Sequence, residues 1–337
     1  MKTAVVILNY NTRDYLKQFL PGLLASCQGL DAQVVVADNA SSDGSVEMLQ
    51  ETFPQVPLIA LDRNYGYTGG YNRALALVEA DCFVLINSDI EVPQDWLHPL
   101  VAWMESHPGC GACGPKLLSY RERDRLEYAG AAGGLVDRYG YPFCRGRIMQ
   151  RVEKDHGQYD TPADVLWVSG ACLMVRASLW KELGGLDGRF FAHMEEIDLC
   201  WRMQLRGWKV TVVPESRVYH IGGGTLPNES PFKLRLNFRN NLLLLENNLP
   251  ATFVAQTGCT ERRARRRARR RILVRMALDG CSALVFLLSF RGSFFRSVLQ
   301  AHREYRQLRR PGEVPPNPRV PDGLYKAWIV PKGLFGK

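Results

Sequence analysis

Short apolar runs alternate with helical repeats along the first hundred residues of the chain. Four runs are rich in apolar side chains and end in polar residues, at 5–8, 34–37, 58–61 and 82–86. Runs of this length and kind are typical of strands buried on both faces of a sheet. Apolar positions at helical spacing over 15–24, and a helix-like stretch at 74–80, predict connecting helices. This order predicts an α/β fold with a doubly wound, mostly parallel central sheet.

The middle of the chain has a less regular pattern. Residues 110–165 are rich in glycine and aromatic residues, which predicts loops and irregular strands that shape the site of a second substrate. Apolar periodicity predicts further strands at 165–175 and 210–213, and a helix at 196–205.

A change in composition after residue 250 divides the chain. Residues 1–250 form the predicted α/β domain, with a donor half at about 1–105 and an acceptor half at about 106–250. Residues 251–337 are predicted to form a basic, amphipathic helical appendage with a proline-rich tail.

The basic character of the chain is confined to this appendage. The formal net charge of the chain is +9, yet residues 261–310 alone contain fifteen arginines and three acidic residues. Arg275 and Asp279 interrupt the apolar stretch at 272–290, so that only 281–290 is largely apolar without a break. This is about half of the ~20 residues that span a bilayer, which predicts an interfacial or packed helix.

The nine cysteines and the first residues of the chain indicate the cellular compartment of the protein. The cysteines form no repeating framework, a pattern typical of a reducing compartment. Cys110 and Cys113 form a single CxxC without a second pair at zinc spacing, so we assign them no role. The chain begins directly with a strand and has no signal-peptide pattern, which predicts a cytoplasmic protein.

Asp89 is the strongest local candidate for chemistry. The buried strand at 82–86 runs into Asn87-Ser88-Asp89, and alternation points Asn87 and Asp89 to the same side. A divalent cation that bridges two phosphates needs only one or two protein carboxylates, because phosphate and water fill its other positions. The alternative is a loop in which Asp89 or Ser88 caps the next helix.

Two further polar segments are predicted at the same edge of the sheet. Asp38 ends the second strand, where a carboxylate can accept hydrogen bonds from a base or a ribose; the residues after it also suit a helix cap. Residues 62–73 combine glycines, arginines and amides before a predicted helix, a composition that lets backbone N–H groups approach a phosphate. The segment matches neither the G-x-G-x-x-G nor the P-loop pattern, and a flexible surface loop is its alternative interpretation.

An acidic cluster and a histidine complete the candidates. Glu195, Glu196 and Asp198 are neighbouring carboxylates, whose repulsion raises the pKa of one and suits it to act as a general base. The alternative is an acidic helix N-terminus stabilised by the helix dipole. His220 ends a strand and precedes Gly222-Gly223-Gly224, which indicates a metal ligand, a phosphate contact or a structural histidine.

Taken together, five ordered segments resemble the family 2 glycosyltransferases of GT-A fold, in the branch that includes rhamnosyltransferase-like enzymes. The segments are VVILNYN, VADNASSDGS, RNYGYTGGYNR, LINSDI, and GGLDGRFF through EEIDL. The resemblance covers about residues 5–249. It implies inverting transfer of a sugar, with rhamnose among the candidates, from a UDP- or dTDP-linked donor with the help of Mg²⁺ or Mn²⁺. The acceptor it implies is a glycan or a lipid-linked sugar of bacterial cell-surface polysaccharide synthesis.

The resemblance also implies roles for single residues. For the nucleotide and donor it implies Asn9, Asp38, Asn64, Gly70, Asn72 and Asn87. It places Asp89 and His220 at the metal, and Glu196 where the family usually has the Asp of a Glu-Asp pair, which leaves Glu195 and Asp198 open as the base. Asn87 replaces the first acid of the usual metal motif. The acceptor is expected near Trp167, Ser169 and Gly170.

The arginine-rich segment and the departures from the family pattern leave alternatives. Residues 262–310 suit docking on an anionic membrane surface, nucleic-acid contact or a solvated helical face. The neighbouring apolar residues favour the membrane, at the inner face of the cytoplasmic membrane, and we expect no nucleic-acid partner. A nucleotide-sugar binding protein without catalysis and a sugar nucleotidyltransferase are the alternative functions.

Overall fold

A computed structural model of the protein describes residues 1–222 and 230–329. The first half is built from alternating strands and helices: β1 (Thr3–Asn9), α1 (Arg13–Ser26), β2 (Ala32–Asp38), α2 (Ser45–Thr52), β3 (Leu58–Ala60), α3 (Gly66–Leu75), β4 (Cys82–Ile86), β5 (Ile90–Glu91) and α4 (Leu97–Ser106). β1 pairs in parallel with β2 and β4, and β2 with β3, as the sequence predicts.

The second half extends this sheet. Its elements are β6 (Cys110–Ser119), β7 (Gly134–Val136), β8 (Pro142–Cys144), β9 (Arg147–Ile148), β10 (Arg151–Val152), β11 (Ala163–Asp164), β12 (Cys172–Arg176), α5 (Ala177–Glu182), α6 (Glu195–Leu205) and β13 (Lys209–His220). Among the described residues, nine strands form the main sheet in the order β11-β13-β6-β12-β4-β1-β2-β3, with β5 paired to β13. β7 to β10 form a separate small sheet.

Strand direction brings the ends of distant strands together. β12 is antiparallel to both β4 and β6, and β13 is parallel to β6. The carboxyl end of β13 therefore lies at the same edge of the sheet as those of β1, β2 and β4. Along β1, Val5 and Ile7 pack into the core on one face and Ala4 and Val6 into the core on the other.

Two predicted elements differ from the structure. The helix expected at 74–80 begins earlier, at Gly66, so most of the predicted glycine-rich loop is helical. Its glycines let α3 approach β1, since a Cβ on Gly70 would lie 2.7 Å from the side chain of Leu8. The strand expected at 165–175 is broken, because Trp167 bridges to Gly134 and the chain turns before β12 begins at Cys172.

Three long helices follow: α7 (Pro231–Thr257), α8 (Glu261–Leu288) and α9 (Gly292–Leu308). They pack against one another, and α7 also packs against α6. α7 runs without interruption through residue 250, where the sequence places the domain boundary. No helix in the described ranges has the length and apolar character that crossing a bilayer requires.

The segment after α9 returns to the α/β domain. Arg319 donates its backbone N–H to Leu205 O (2.9 Å), and Tyr325 donates its own to Val136 O (2.8 Å). The appendage is therefore joined to the domain at both ends of its described part. Residues 330–337 of the predicted tail lie outside the described residues.

Candidate active site

A cavity of about 530 Å³ lies at the carboxyl edge of the main sheet. It is lined by side chains that follow β1 and β4, by the start of α3, by the first residues of α6 and by His220. Eight predicted site residues line it: Asn64, Asn87, Asp89, Ser169, Gly170, Glu195, Glu196 and His220. The topology therefore brings together residues that are distant in the sequence, since Asn64 and His220 are 156 positions apart.

Asn9 and Asp38 lie behind the cavity wall. Asp38 is only 1% exposed; its Oδ1 accepts a hydrogen bond from Asn9 Nδ2 (2.7 Å), and its Oδ2 accepts one from Ser41 N–H (2.8 Å). Asn9 in turn accepts a hydrogen bond from the hydroxyl of Thr12, which lines the cavity. Neither residue lines the cavity, and their direct contact with the nucleotide stays a prediction. They hold the loops that form the wall.

Of the predicted donor-site residues in and before α3, one lies at the cavity wall and two lie away from it. Asn64 Oδ1 accepts hydrogen bonds from Gly66 N–H (2.8 Å) and Asn39 Nδ2 (3.0 Å) at the cavity wall. Gly70 does not line the cavity and packs on β1. Asn72 also lies away from it, because its side-chain amide bonds the backbone N–H and carbonyl of Leu186. In this structure Asn72 joins α3 to the loop before α6, and its role in the donor pocket stays a prediction.

Asp89 and His220 meet in the cavity. His220 Nε2 lies 3.2 Å from Asp89 Oδ1 and 3.4 Å from Asn87 Nδ2, and its Nδ1 lies 3.4 Å from Glu127 Oε1. Burial lowers the pKa of His220, but the nearby carboxylates of Asp89 and Glu127 outweigh burial and raise that pKa to about 10. Glu127 lies in the segment for which the sequence offers no recognisable pattern.

The chemistry of this group fits a divalent cation. A carboxylate oxygen and an imidazole nitrogen facing one cavity are donors that Mn²⁺ accepts, and Mg²⁺ binds through one or two carboxylates together with phosphate and water. Within residues 1–222 and 230–329, no group of three or more His, Cys, Asp and Glu side chains has the geometry of a complete metal site. Asp89 and His220 could hold a cation whose remaining ligands come from a diphosphate and water. Gly223 and Gly224 of the predicted glycine loop lie outside the described residues.

The acidic cluster is divided by α6. Glu195 and Glu196 line the cavity, and each has a buried Oε2 without a hydrogen-bond partner in the described structure. Burial raises the pKa of Glu196 to about 7, and burial together with the charge of Glu196 raises the pKa of Glu195 well above its usual range. Asp198 is fully buried on the side facing α7, where it pairs with Arg202 (2.7 Å). Asp198 is therefore unsuited to be the base.

A strained segment leads into α6. Phe191, His193 and Met194 have φ of 65°, 71° and 73°, in the left-handed region that side chains with a Cβ rarely adopt. Burial lowers the pKa of His193 to about 4, so this cavity residue is neutral at physiological pH. The sequence pattern of this segment, aromatic residues followed by acidic residues, does not predict its left-handed backbone conformation.

α7 holds the strained segment from behind. Asn240 Nδ2 donates to three carbonyl oxygens, those of Phe190 (2.9 Å), Ala192 (2.7 Å) and His193 (2.8 Å). Arg239 donates to Phe190 O (2.8 Å) as well. Neither residue was a candidate from the sequence, because only the packing of α7 shows what these side chains face.

A second cavity, of about 680 Å³, shares Ala129, His193, Glu196, His220 and Lys233 with the first. Its other walls include Trp167, the small sheet and the first turns of α7. Trp167, predicted near the acceptor, therefore lines the second cavity and not the first, while Ser169 and Gly170 line the first. Glu196 lines both cavities. This position suits a reaction in which each cavity holds one substrate and the two substrates meet at the Glu196 carboxylate.

Comparisons with known proteins show the family of the chain. A sequence profile described as Glycosyl transferase family 2 matches residues 4–184, more than half of the chain. The N-acetylglucosaminyl-diphospho-decaprenol L-rhamnosyltransferase of Mycobacterium tuberculosis (strain ATCC 25618 / H37Rv) is 28% identical over 234 residues, which are 64% of this chain and 75% of that protein. Rhamnosyltransferase WbbL of Escherichia coli (strain K12) is 24% identical over 225 residues, which are 64% of this chain and 82% of that protein.

A solved structure shows the same fold. The mannosyltransferase PcManGT from Pyrobaculum calidifontis, in complex with GDP-Man and Mn²⁺, is similar to this chain with a TM-score of 0.52. The sequences are 14% identical, and the similarity covers 90% of this chain and 87% of the other.

Proposed function

The chain belongs to glycosyl transferase family 2, has a GT-A fold and is a nucleotide-sugar-dependent glycosyltransferase; from this premise we propose that it transfers the sugar with inversion and needs a divalent metal. The observation that carries the proposal is one cavity lined both by the pair Asp89 and His220 and by Glu196, with its pKa of about 7. A UDP- or dTDP-linked sugar is the proposed donor, and a glycan or lipid-linked sugar the acceptor. The rhamnosyltransferases among the relatives support rhamnose as the sugar.

Glu196 is the proposed general base. A base with a pKa near the working pH combines a large ionised fraction with a strong tendency to take up a proton. Its carboxylate removes the proton from the acceptor hydroxyl while that oxygen forms a bond to the anomeric carbon. The bond from this carbon to the diphosphate oxygen breaks on the opposite face, so the configuration inverts.

The leaving diphosphate needs stabilisation of its negative charge. Lys233 and the positive end of α7 line the cavity and provide it from the protein. When bound, a Mg²⁺ or Mn²⁺ ion would act there as a Lewis acid. Asp89 and His220 are the proposed residues for holding the ion, and Asn87 borders them.

The test is release of nucleoside diphosphate from UDP- and dTDP-sugars by the purified protein, with and without Mn²⁺. N-acetylglucosamine linked through a diphosphate to a prenyl chain serves as the first acceptor. We expect metal-dependent release that Asp89→Asn lowers by about a hundredfold or more, and that Glu196→Gln lowers by roughly 10²–10⁴-fold.

Asp95→Asn and Glu215→Gln are matched controls, because both side chains are exposed and lie outside the cavity. Both should keep full activity. Metal-dependent turnover that survives Asp89→Asn would contradict the proposal, and release of pyrophosphate from a nucleoside triphosphate would indicate a nucleotidyltransferase instead.

We also propose that the protein is cytoplasmic and docks on the inner face of the cytoplasmic membrane through residues 262–310. α8, α9 and the turn between them expose large apolar side chains, at Leu284, Val285, Leu287, Leu288, Phe290 and Leu299. Arginines are exposed on the same two helices, among them Arg296 and Arg303. An anionic bilayer surface rewards both features, since it takes up apolar side chains and attracts positive charge.

A further inference from the structure

The turn at residues 169–171 joins the two sides of the active site. Asn87, which follows β4, donates its backbone N–H to Ala171 O (2.9 Å). On the other side of the turn, a Cβ on Gly170 would lie 3.5 Å from Glu196 Cβ, so the Gly170 backbone packs directly against the proposed base. The backbone conformation at Gly170 therefore helps to set the position of the Glu196 side chain.

Tyr67 holds this turn from α3. Its hydroxyl donates a hydrogen bond to Gly170 O (2.5 Å), which lies 103 positions away in the sequence, and its side chain lines the same cavity as Glu196. A Cβ on Gly170 would lie 3.0 Å from the Tyr67 hydroxyl oxygen, so the contact depends on glycine at this position. Because a glycine backbone has wide conformational freedom, this hydrogen bond restricts a part of the wall that would otherwise move.

The Tyr67 hydroxyl has one proton, and Gly170 O accepts it. Burial raises the pKa of Tyr67 well above its ordinary value, with smaller contributions from neighbouring charged groups, so the hydroxyl remains a donor at neutral pH. Since its proton is engaged, the hydroxyl does not donate to Glu196, whose Oε2 has no hydrogen-bond partner among the residues that the structure describes. Tyr67 thus supports the base through the backbone and leaves the carboxylate able to take up a proton.

The Gly170 backbone also acts on the charge of Glu196. Burial raises the pKa of Glu196 to about 7, and backbone hydrogen bonds, one of them from Gly170, act against burial and lower it. Such a bond stabilises the ionised carboxylate only while the N–H points toward it. A Gly170 backbone that moved freely would therefore change both the position and the pKa of the base.

We propose that Tyr67 is a positioning residue of the transfer reaction, whose hydroxyl fixes the Gly170 backbone and thereby orients the Glu196 carboxylate toward the acceptor hydroxyl. This inference rests on the proposed function, because it takes Glu196 as the base. Loss of the Tyr67 hydroxyl lets the Gly170 backbone move, so that the base spends less time in the reactive geometry.

The first test is the rate of nucleoside diphosphate release by Tyr67→Phe at saturating Mn²⁺, donor and acceptor. We expect kcat to fall roughly fivefold to thirtyfold, because a hydrogen bond to a buried carbonyl is lost and the base is less well oriented. The KM for the donor should change little, since Asn64 and Asp89 are untouched.

The second test needs no substrate and reads the carboxylate of Glu196 itself. Glutamate is labelled with ¹³C at the side-chain carboxyl carbon, and the signal that is absent from Glu196→Gln is titrated by NMR in EDTA. We expect Tyr67→Phe to raise the pKa of Glu196 by about 0.5 or more, because the Gly170 N–H no longer points steadily at the carboxylate. A direct reading is needed because several other titratable groups line this cavity: Tyr67, Glu195, His193, His220 and Lys233.

Tyr305→Phe is the matched control, because Tyr305 is a buried tyrosine whose hydroxyl donates to Glu246 outside the cavity. It should keep both kcat and the pKa of Glu196. Thermal melts establish that each variant is folded. Gly170→Ala is a second variant that should reproduce both effects of Tyr67→Phe, since its added Cβ displaces the Tyr67 hydroxyl.

The inference is overturned if folded Tyr67→Phe keeps the wild-type kcat and the wild-type pKa of Glu196, or if Tyr305→Phe changes both as much. Full activity in Glu196→Gln would instead count against the proposed function. The NMR titration uses neither donor nor metal, so it decides whether Tyr67 acts on Glu196 even when the transfer assay fails.

Discussion

Glu196 combines a raised pKa with a carboxylate oxygen that has no hydrogen-bond partner in the described structure. Burial and the charge of Glu196 raise the pKa of Glu195 beside it well above its usual range, because two neighbouring carboxylates repel each other. Asp198, three positions later, is neutralised by Arg202 and bonded to Asn247 and Asn248. Three carboxyl groups close in sequence thus have three different environments.

The pH dependence of transfer follows from the pKa of Glu196. The base must be ionised, so kcat/KM should rise about tenfold per pH unit below about 7 and level off above it. A series of rate measurements between pH 5 and 9 at saturating Mn²⁺ would reveal this limb. Glu215→Gln should leave the limb in place, whereas an unchanged limb in Glu196→Gln would show that another group is the base.

Stability should depend on pH with the opposite sign. The folded state raises the pKa of Glu196 above its ordinary value of 4.5, so the folded protein holds this proton more tightly than the unfolded chain does. The contribution is present below about pH 4.5 and is lost as the pH rises through about 7. Glu196→Gln should therefore gain melting temperature relative to wild type between pH 5 and pH 8.

At the scale of elements, the site depends on the way α7 fixes the segment before α6. Residues 190–194 have few regular backbone hydrogen bonds of their own, and three of them have left-handed backbone conformations. Asn240 satisfies three of their carbonyl groups with one side chain. Gly66 supports the same segment from α3: its φ is +69°, and a Cβ there would lie 2.5 Å from the Phe191 ring.

Asn240→Ala tests this support. The variant removes the side-chain donor of the Ala192 and His193 carbonyls, while Phe190 O keeps its hydrogen bonds from Arg239 and from the backbone N–H of Ala192. The loss costs about 1–3 kcal/mol of stability, and it releases the segment that aims Glu196. We expect kcat to fall roughly tenfold to a hundredfold while the KM for the donor changes little, since Asn64 and Asp89 are untouched. As water reaches Glu196, the acid limb of the pH profile should also move to lower pH.

Asn248→Ala is the matched control, because Asn248 is an equally buried asparagine on the same helix that bonds Asp198 rather than the strained segment. It should lose stability and keep its pH profile. If both variants lose stability and activity alike and the profile moves in neither, Asn240 is merely structural.

On the scale of the whole molecule, the three C-terminal helices are joined to the catalytic domain by charged contacts. Arg239 bonds the segment before α6 and also pairs with Glu304 on α9 (3.2 Å). Arg275 and Asp279, which interrupt the apolar run in the sequence, form a buried pair facing α7. Other apolar residues of α8 remain exposed, at Leu273 and Val274 near its middle and at further positions toward its end, and Phe290 just after the helix is 98% exposed.

Leu288→Glu with Phe290→Glu tests the proposed membrane surface. The protein should sediment with vesicles of phosphatidylcholine and phosphatidylglycerol, less so with phosphatidylcholine alone, and less at high salt. The double variant should weaken binding by roughly tenfold or more, because it removes two apolar side chains from the bilayer boundary. Leu77→Glu is the matched control, because Leu77 is about as exposed as Leu288 and lies outside residues 262–310. This variant should bind vesicles as the wild type does.

The sequence by itself determined the strands of the donor half, the polar residues at their ends and the family. These features are local, since a run of apolar residues defines a buried strand and the next residues must lie where that strand ends. β2 ends at Asp38 and β4 at Ile86, just before Asn87, as the sequence predicts. β13 likewise ends at His220.

Only the tertiary structure decided which of these residues face the cavity. Periodicity gives the side of an element that a residue occupies, but not what packs opposite that side. The sequence therefore did not show that Asp38 and Asn72 are hydrogen-bonded within the protein or that Asp198 faces α7. It also did not show that α3 begins earlier than predicted. The role of Asn240 could not be predicted either, because it follows from carbonyl groups that a distant part of the chain supplies.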